Sequence, residues 1–209
     1  VEKYGQLKDF LDKEVVGTIK APLLHISRIG TVDTQGIRPV EPGAGKKEQY
    51  GNLRYMSGLE EKVDVIEGKW PAAMPREDGI VEVIVDEKAL DSKELLVGRQ
   101  YIMRLAKTSD YDREIKTITA EVVGVFRQKE EYKGSAAWAY YPPYENSFFV
   151  SEELLHHFMD LEGVAIYELV WYWVFDHTAV YVDQLPALID ELRYLENTAN
   201  QILPGTRLW

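Results

Sequence analysis

Four histidines, thirty-five carboxylates and one glycine-rich stretch are the places where this 209-residue chain could do chemistry. The stretch Gly43-Ala44-Gly45-Lys46-Lys47 has the composition of a phosphate-cradling loop. A Walker A loop needs a glycine five positions before Gly45, where Val40 stands. It also needs Ser or Thr after its lysine to reach magnesium, where Lys47 stands. The segment therefore reads as a plain loop. His156 and His157 are adjacent, and neighbours on a helix diverge by about 100°, so they do not share one metal ion. His25 and His177 stand alone, and neither His-Glu-x-x-His nor a Gly-x-Ser-x-Gly elbow occurs. With no cysteine in the chain, disulfides, thiolate metal sites and cysteine nucleophiles are excluded. No metal or other cofactor is implied.

The carboxylates leave one opening. Glycosidases work with two carboxyl groups that can lie far apart in sequence. Asp86/Glu87, Asp110/Asp112 and Glu130/Glu131 are neighbours of the kind found on solvated faces, and nothing marks them as such a pair. A secreted or surface glycan hydrolase using scattered carboxylates therefore stands as an alternative, beside a stand-alone ligand-binding module. The favoured reading is non-catalytic. The most unusual local feature is aromatic: Trp138, Tyr140, Tyr141 and Tyr144 crowd a segment broken by Pro142 and Pro143. Tyr and Trp bury a large area while keeping a polar handle, so these four are the candidate client-binding residues.

The elements that must hold such a segment follow from periodicity. Tyr4, Leu7, Phe10 and Leu11 define one face of a helix over roughly residues 2–13. Val15–Ile29 is β-branched and apolar and gives one or two strand pieces. Thr31–Asn52, with four Gly and two Pro, reads as a long loop. Strands are expected at Ile80–Val85, Tyr101–Leu105 and Ile118–Phe126. Gly124 within the last predicts a bulge or a close approach. After the aromatic segment come a strand at Phe148–Val150 and a helix capped by Ser151, with Glu152 and Glu153 in its first turn. Strands at Tyr167–Phe175 and Ala179–Val182 precede an amphipathic helix marked by Leu185, Leu188, Ile189, Leu192 and Leu195.

Composition bounds the partners. The net charge is −11, and it is uneven. Residues 1–56 carry nine Lys/Arg and seven Asp/Glu, whereas from Glu152 onward two basic residues face ten acids. Nucleic acid and anionic lipid both require dense Lys/Arg, so no nucleic-acid partner is expected. No apolar run reaches the length of a membrane span, about 20 residues. The start at Val1 and the tail Leu203–Trp209 lead to the expectation that the chain is a segment of a longer protein.

Five motifs in order carry a resemblance. They are Gly68-Lys69-Trp70-Pro71, the run Ile80–Leu90, Leu96-Val97-Gly98-Arg99-Gln100-Tyr101, Val122-Val123-Gly124-Val125-Phe126, and Phe149-Val150-Ser151-Glu152-Glu153-Leu154. This series resembles the extracytoplasmic, MacB-like periplasmic core domain of bacterial ABC-transporter permeases of the FtsX/MacB type. The resemblance implies an α+β fold of two lobes. An α/β membrane-proximal lobe would take residues 1–72 and 156–209, and a mainly β insert would take 73–155. It further implies a position on the extracytoplasmic side of the bacterial membrane, attached to the permease's own transmembrane helices. ATP would be hydrolysed by a separate cytoplasmic subunit, and the client would be a peptide, a lipoprotein or a lipid. Coupling that hydrolysis to export, release or activation of the client would be the function.

Overall fold

The computed structural model describes all residues except 1, 33, 42–48, 107–114, 134–143, 162, 163, 165, 208 and 209. Among the described residues helix and strand occur in comparable amounts, with five α-helices and nine strands. The fold is mixed α and β, as the sequence leads one to expect. The chain separates into two compact units, residues 1–26 with 173–209, and residues 27–172. Strand β1 (Leu23–Val32) begins in one unit and finishes in the other, and β9 (Ile166–Phe175) does the same in reverse.

The smaller unit is built on two helices that pack together, α1 (Glu2–Thr18) and α5 (Leu185–Ile202). Helical spacing puts Tyr4, Leu7, Leu11 and Val15 on one face, and all four are buried. Leu195 and Ala199 are the buried residues of α5. Pro186 sits in the first turn of α5, where a missing N–H costs nothing. Two short 3-10 turns, His177–Ala179 and Val182–Gln184, lead into α5. They replace the strand expected at Ala179–Val182. Asp176 starts this change by accepting from the Thr178 amide at 2.9 Å, which bends the backbone away from extension.

The larger unit contains a mixed sheet. The remaining strands are β2 (Thr34–Pro39), β3 (Asn52–Met56), β4 (Val63–Gly68), β5 (Val81–Asp86), β6 (Gln100–Ala106), β7 (Ile115–Gln128) and β8 (Ser147–Phe149). The order is β2-β6-β7-β5-β8-β3-β1-β9, with β4 added against β7. β7 is the spine. Along it, β6 pairs antiparallel with residues 115–121, β4 antiparallel with 124–128, and β5 parallel with 120–126. Every residue of β5 is buried, the pattern of a strand covered on both faces. The short helices α2 (Leu59–Lys62) and α3 (Glu87–Lys93) punctuate the strands. Helix α4 (Glu152–Leu161) buries Leu154, Leu155 and Phe158. A β-carbon on Gly30 of β1 would lie 2.4 Å from Leu155 Cδ2, so this glycine lets β1 and α4 approach closely.

One further expectation changes. The segment Thr31–Asn52 is not one loop, because β1 continues to Val32 and β2 pairs with β6 through Ile37, Arg38 and Pro39. Its glycines and prolines disguise a strand that lies at the sheet edge, where proline is tolerated. The two compact units divide at 26/27 and 172/173. β4, before residue 72, pairs with β7, and β3 pairs with β8 in parallel. Such long-range pairings leave no mark on local patterning. Among the described residues no helix is long and apolar enough to cross a membrane.

Candidate functional site

Of the aromatic candidates, only Tyr144 lies among the described residues. Trp138, Tyr140 and Tyr141 fall outside the described residues. Tyr144 opens a 3-10 turn, Tyr144–Asn146, that runs directly into β8. Its ring stacks on Phe149, with centroids 5.8 Å apart and planes 26° from parallel. Phe149 in turn meets Phe126 edge-on at 5.5 Å. The Tyr144 hydroxyl donates to Met56 Sδ at 3.6 Å. Phe149 and Phe126 belong to an apolar cluster that also holds Ile29, Leu59, Val63 and Ile84, with Tyr144, Trp70 and Tyr172 against its side. Trp70 thus ties the Gly68–Pro71 segment to this cluster.

The electrostatics around Tyr144 follow from burial. Burial pushes its hydroxyl well above the ordinary tyrosine value, and the Asp86 carboxylate adds to this while Arg54 opposes it. Asp86 is itself pushed up by burial. Its Oδ1 accepts from the Lys88 amide at 2.9 Å, which makes it the N-cap of α3. Lys93, at the other end of α3, is pushed down by burial and donates to the Tyr50 carbonyl at 2.5 Å. Arg54 lies buried in β3 and donates to Thr31 Oγ1 at 3.1 Å and Ser147 Oγ at 2.7 Å. Each of these charged groups closes a backbone or side-chain contact within the fold. Tyr144 stays neutral across the physiological range, so what it offers is an aromatic surface and a fixed start for β8.

The five sequence motifs meet at a second locus. Gly68 and Gly124 are register partners across β4 and β7. Lys69 donates its amide to Val123 O at 2.9 Å. Its ammonium bonds both oxygens of buried Glu82, at 2.8 and 3.0 Å, and the Ala72 amide bonds Glu82 Oε2 at 3.0 Å. Burial alone would raise the Glu82 carboxyl, but the Lys69 and Ala72 bonds outweigh it and hold it below the usual range. Gly98 donates to Val122 O at 2.7 Å, tying the third motif to the fourth. Ser151 accepts from the Leu154 amide at 3.0 Å as the expected helix cap and donates to Ala73 O at 2.9 Å. The register shift between Val83 and Ile84 opposite β7 is the bulge that Gly124 predicted.

One surface escaped the sequence reading. Leu185 and Ile189, expected on the packed face of α5, are exposed, together with Tyr181 and Val182. Their apolar character pointed inward, and only the carboxylates interleaved with them hinted otherwise. Among the described residues no three of His, Asp and Glu gather to hold a metal ion.

No family model matches the sequence, and no curated protein does. Among solved structures, the chain is similar to the crystal structure of a domain of a protein assigned as a permease from Porphyromonas gingivalis. The likeness covers 94% of this chain and 84% of that one, at 13% identity and a TM-score of 0.42.

Proposed function

We propose that this chain is a non-catalytic extracytoplasmic domain of an ABC-transporter permease of the FtsX/MacB type. In this role it converts movement driven by a cytoplasmic ATPase subunit into export, release or activation of a peptide, lipoprotein or lipid client. The observation that carries the reading is the meeting of the five motifs. Pieces that resemble the permease domain only in order and spacing are joined pairwise, through Gly68 and Gly124, Lys69 and Glu82, Gly98 and Val122, and Ile84 and Phe149. The use of Glu82, Asp86, Arg54 and Lys93 as internal ties supports a domain that transmits rather than reacts.

The absence of cysteine from the chain makes a direct test clean. Ser92 is exposed on α3, and Ser92→Cys in the full gene product gives one reporter thiol in this domain. A membrane-impermeant maleimide should label it in intact cells. Labelling that needs cell lysis would sink the reading, as would a gene product lacking apolar stretches of about 20 residues on both sides of this segment.

A further inference from the structure

The exposed apolar residues before and within α5 form a stripe. The 3-10 turn Val182–Gln184 passes straight into α5, so residues 182–202 are one helical run. Val182, Leu185 and Ile189 are spaced by three and four residues and share one side of it. Their exposures are 83%, 43% and 48%, and Tyr181 beside them is 66% exposed. Leu195 and Ala199, further along α5, are the buried ones. Single exposed apolar side chains are ordinary, but a contiguous row of them marks a contact surface.

The charge around the stripe narrows the occupant. From Asp176 to Glu191 the chain carries Asp176, Asp183, Asp190 and Glu191 and no Lys or Arg. Arg193 follows, and it faces Asp190 at 3.4 Å. An anionic lipid surface would be repelled by these carboxylates. A second copy of the stripe would set the same acids against each other. A segment with an apolar ridge and basic flanks satisfies both halves of the surface, and the Tyr181 ring adds a site for a cation. We propose that the Val182–Ile189 stripe docks a cationic amphipathic segment, held by its apolar ridge and selected by its Lys/Arg flanks. This inference stands apart from the permease reading, because its test needs no membrane.

The test is fluorescence anisotropy of a labelled synthetic amphipathic helix of about 18 residues, made of Leu and Lys, titrated with the 209-residue chain. The expected result is saturable binding that weakens with added salt. Leu185→Ser/Ile189→Ser should weaken it by about tenfold or more, and Asp183→Asn/Asp190→Asn should also weaken it. The same peptide with Glu for Lys should not bind. Val182→Ser, outside α5 and the most exposed of the row, stands in if the double apolar variant loses its melting transition. The proposal is overturned by no binding of the Lys peptide, by equal binding of the Glu peptide, or by binding indifferent to all these substitutions. It is also overturned if sedimentation shows the chain self-associating through Leu185 and Ile189, or if phosphatidylcholine vesicles bind through the same residues.

Discussion

Gly68 and Gly124 face one another across β4 and β7, and each is closed to a side chain by the backbone opposite. A β-carbon on Gly68 would lie 2.1 Å from Val123 O, and one on Gly124 would lie 2.2 Å from Lys69 O. Gly68 also has φ +72, a conformation that favours glycine. Gly124→Ala should therefore lower stability by roughly 3 kcal/mol, in the upper range for overpacking a core. Urea unfolding would show this as a shifted midpoint, and an unchanged midpoint would contradict the close backbone approach at Gly124.

Glu82 predicts the acid limb of the stability curve. Its folded carboxyl lies below its ordinary value because Lys69 and Ala72 outweigh the burial that would raise it. A depressed carboxyl stabilises the fold above its unfolded pKa, about 4.3, and that contribution is lost as the pH falls through the folded value. Glu82→Gln should thus show a shallower loss of stability than the parent below about pH 5. Urea midpoints measured between about pH 3 and pH 6 compare the two slopes.

Asp86 predicts the opposite sign. Burial raises its carboxyl more than the Lys88 amide lowers it. The folded state then holds a proton that the unfolded state releases, and stability falls as the pH rises through that window. Asp86→Asn keeps an acceptor for the Lys88 amide without the charge, so at pH 7 it should melt above the parent. Asp86→Ala loses the cap and should cost about 1 kcal/mol. Thermal melting of the two variants at pH 7 separates cap from charge, and a melting point of the Asn variant below the parent's would reverse the assignment.

Tyr144 packs its ring on Phe149. Tyr144→Phe keeps the stack on Phe149 and gives up only a weak bond to Met56 sulfur, at a cost under about 1 kcal/mol. Tyr144→Ala removes the ring and should cost about 3 kcal/mol. On the proposed permease reading, alanine at Trp138, Tyr140 or Tyr141 should reduce client handling while leaving the melting temperature in place. Parallel loss of transport and stability at those three positions would make them folding residues as well.

Much of this architecture is legible in single runs of residues. The β-branched blocks that became β5 and β7 announce themselves, as do the spacing of Tyr4, Leu7 and Leu11 and the Ser151 cap. Pairing is where legibility fails. Nothing in Asn52–Arg54 says that it will lie parallel to Ser147–Phe149. β2 hides because Gly36 and Pro39 are turn formers by propensity, and only its partner β6 makes them a strand. The candidate site was half legible. Tyr144 is conspicuous as an aromatic, but its role as a core anchor depends on Met56 and Phe149 arriving from elsewhere. The α5 stripe was misread for a related reason, since hydrophobic spacing identifies a helix face without saying whether anything covers it.

β8 has a consequence for the order of assembly. Its three residues pair with β5 on one side and β3 on the other, and in the described sheet they alone join β2-β6-β7-β5 to β3-β1-β9. Neighbours in sequence such as β6 and β7 can zip early, because little chain must be closed to bring them together. Ser147–Phe149 has no such shortcut, and it gains its full set of partners only when both half-sheets present their edges. The seam is then a late, entropically slow closure, and substitutions at Ser147 or Phe148 should be felt as hesitation in refolding, in addition to lost stability.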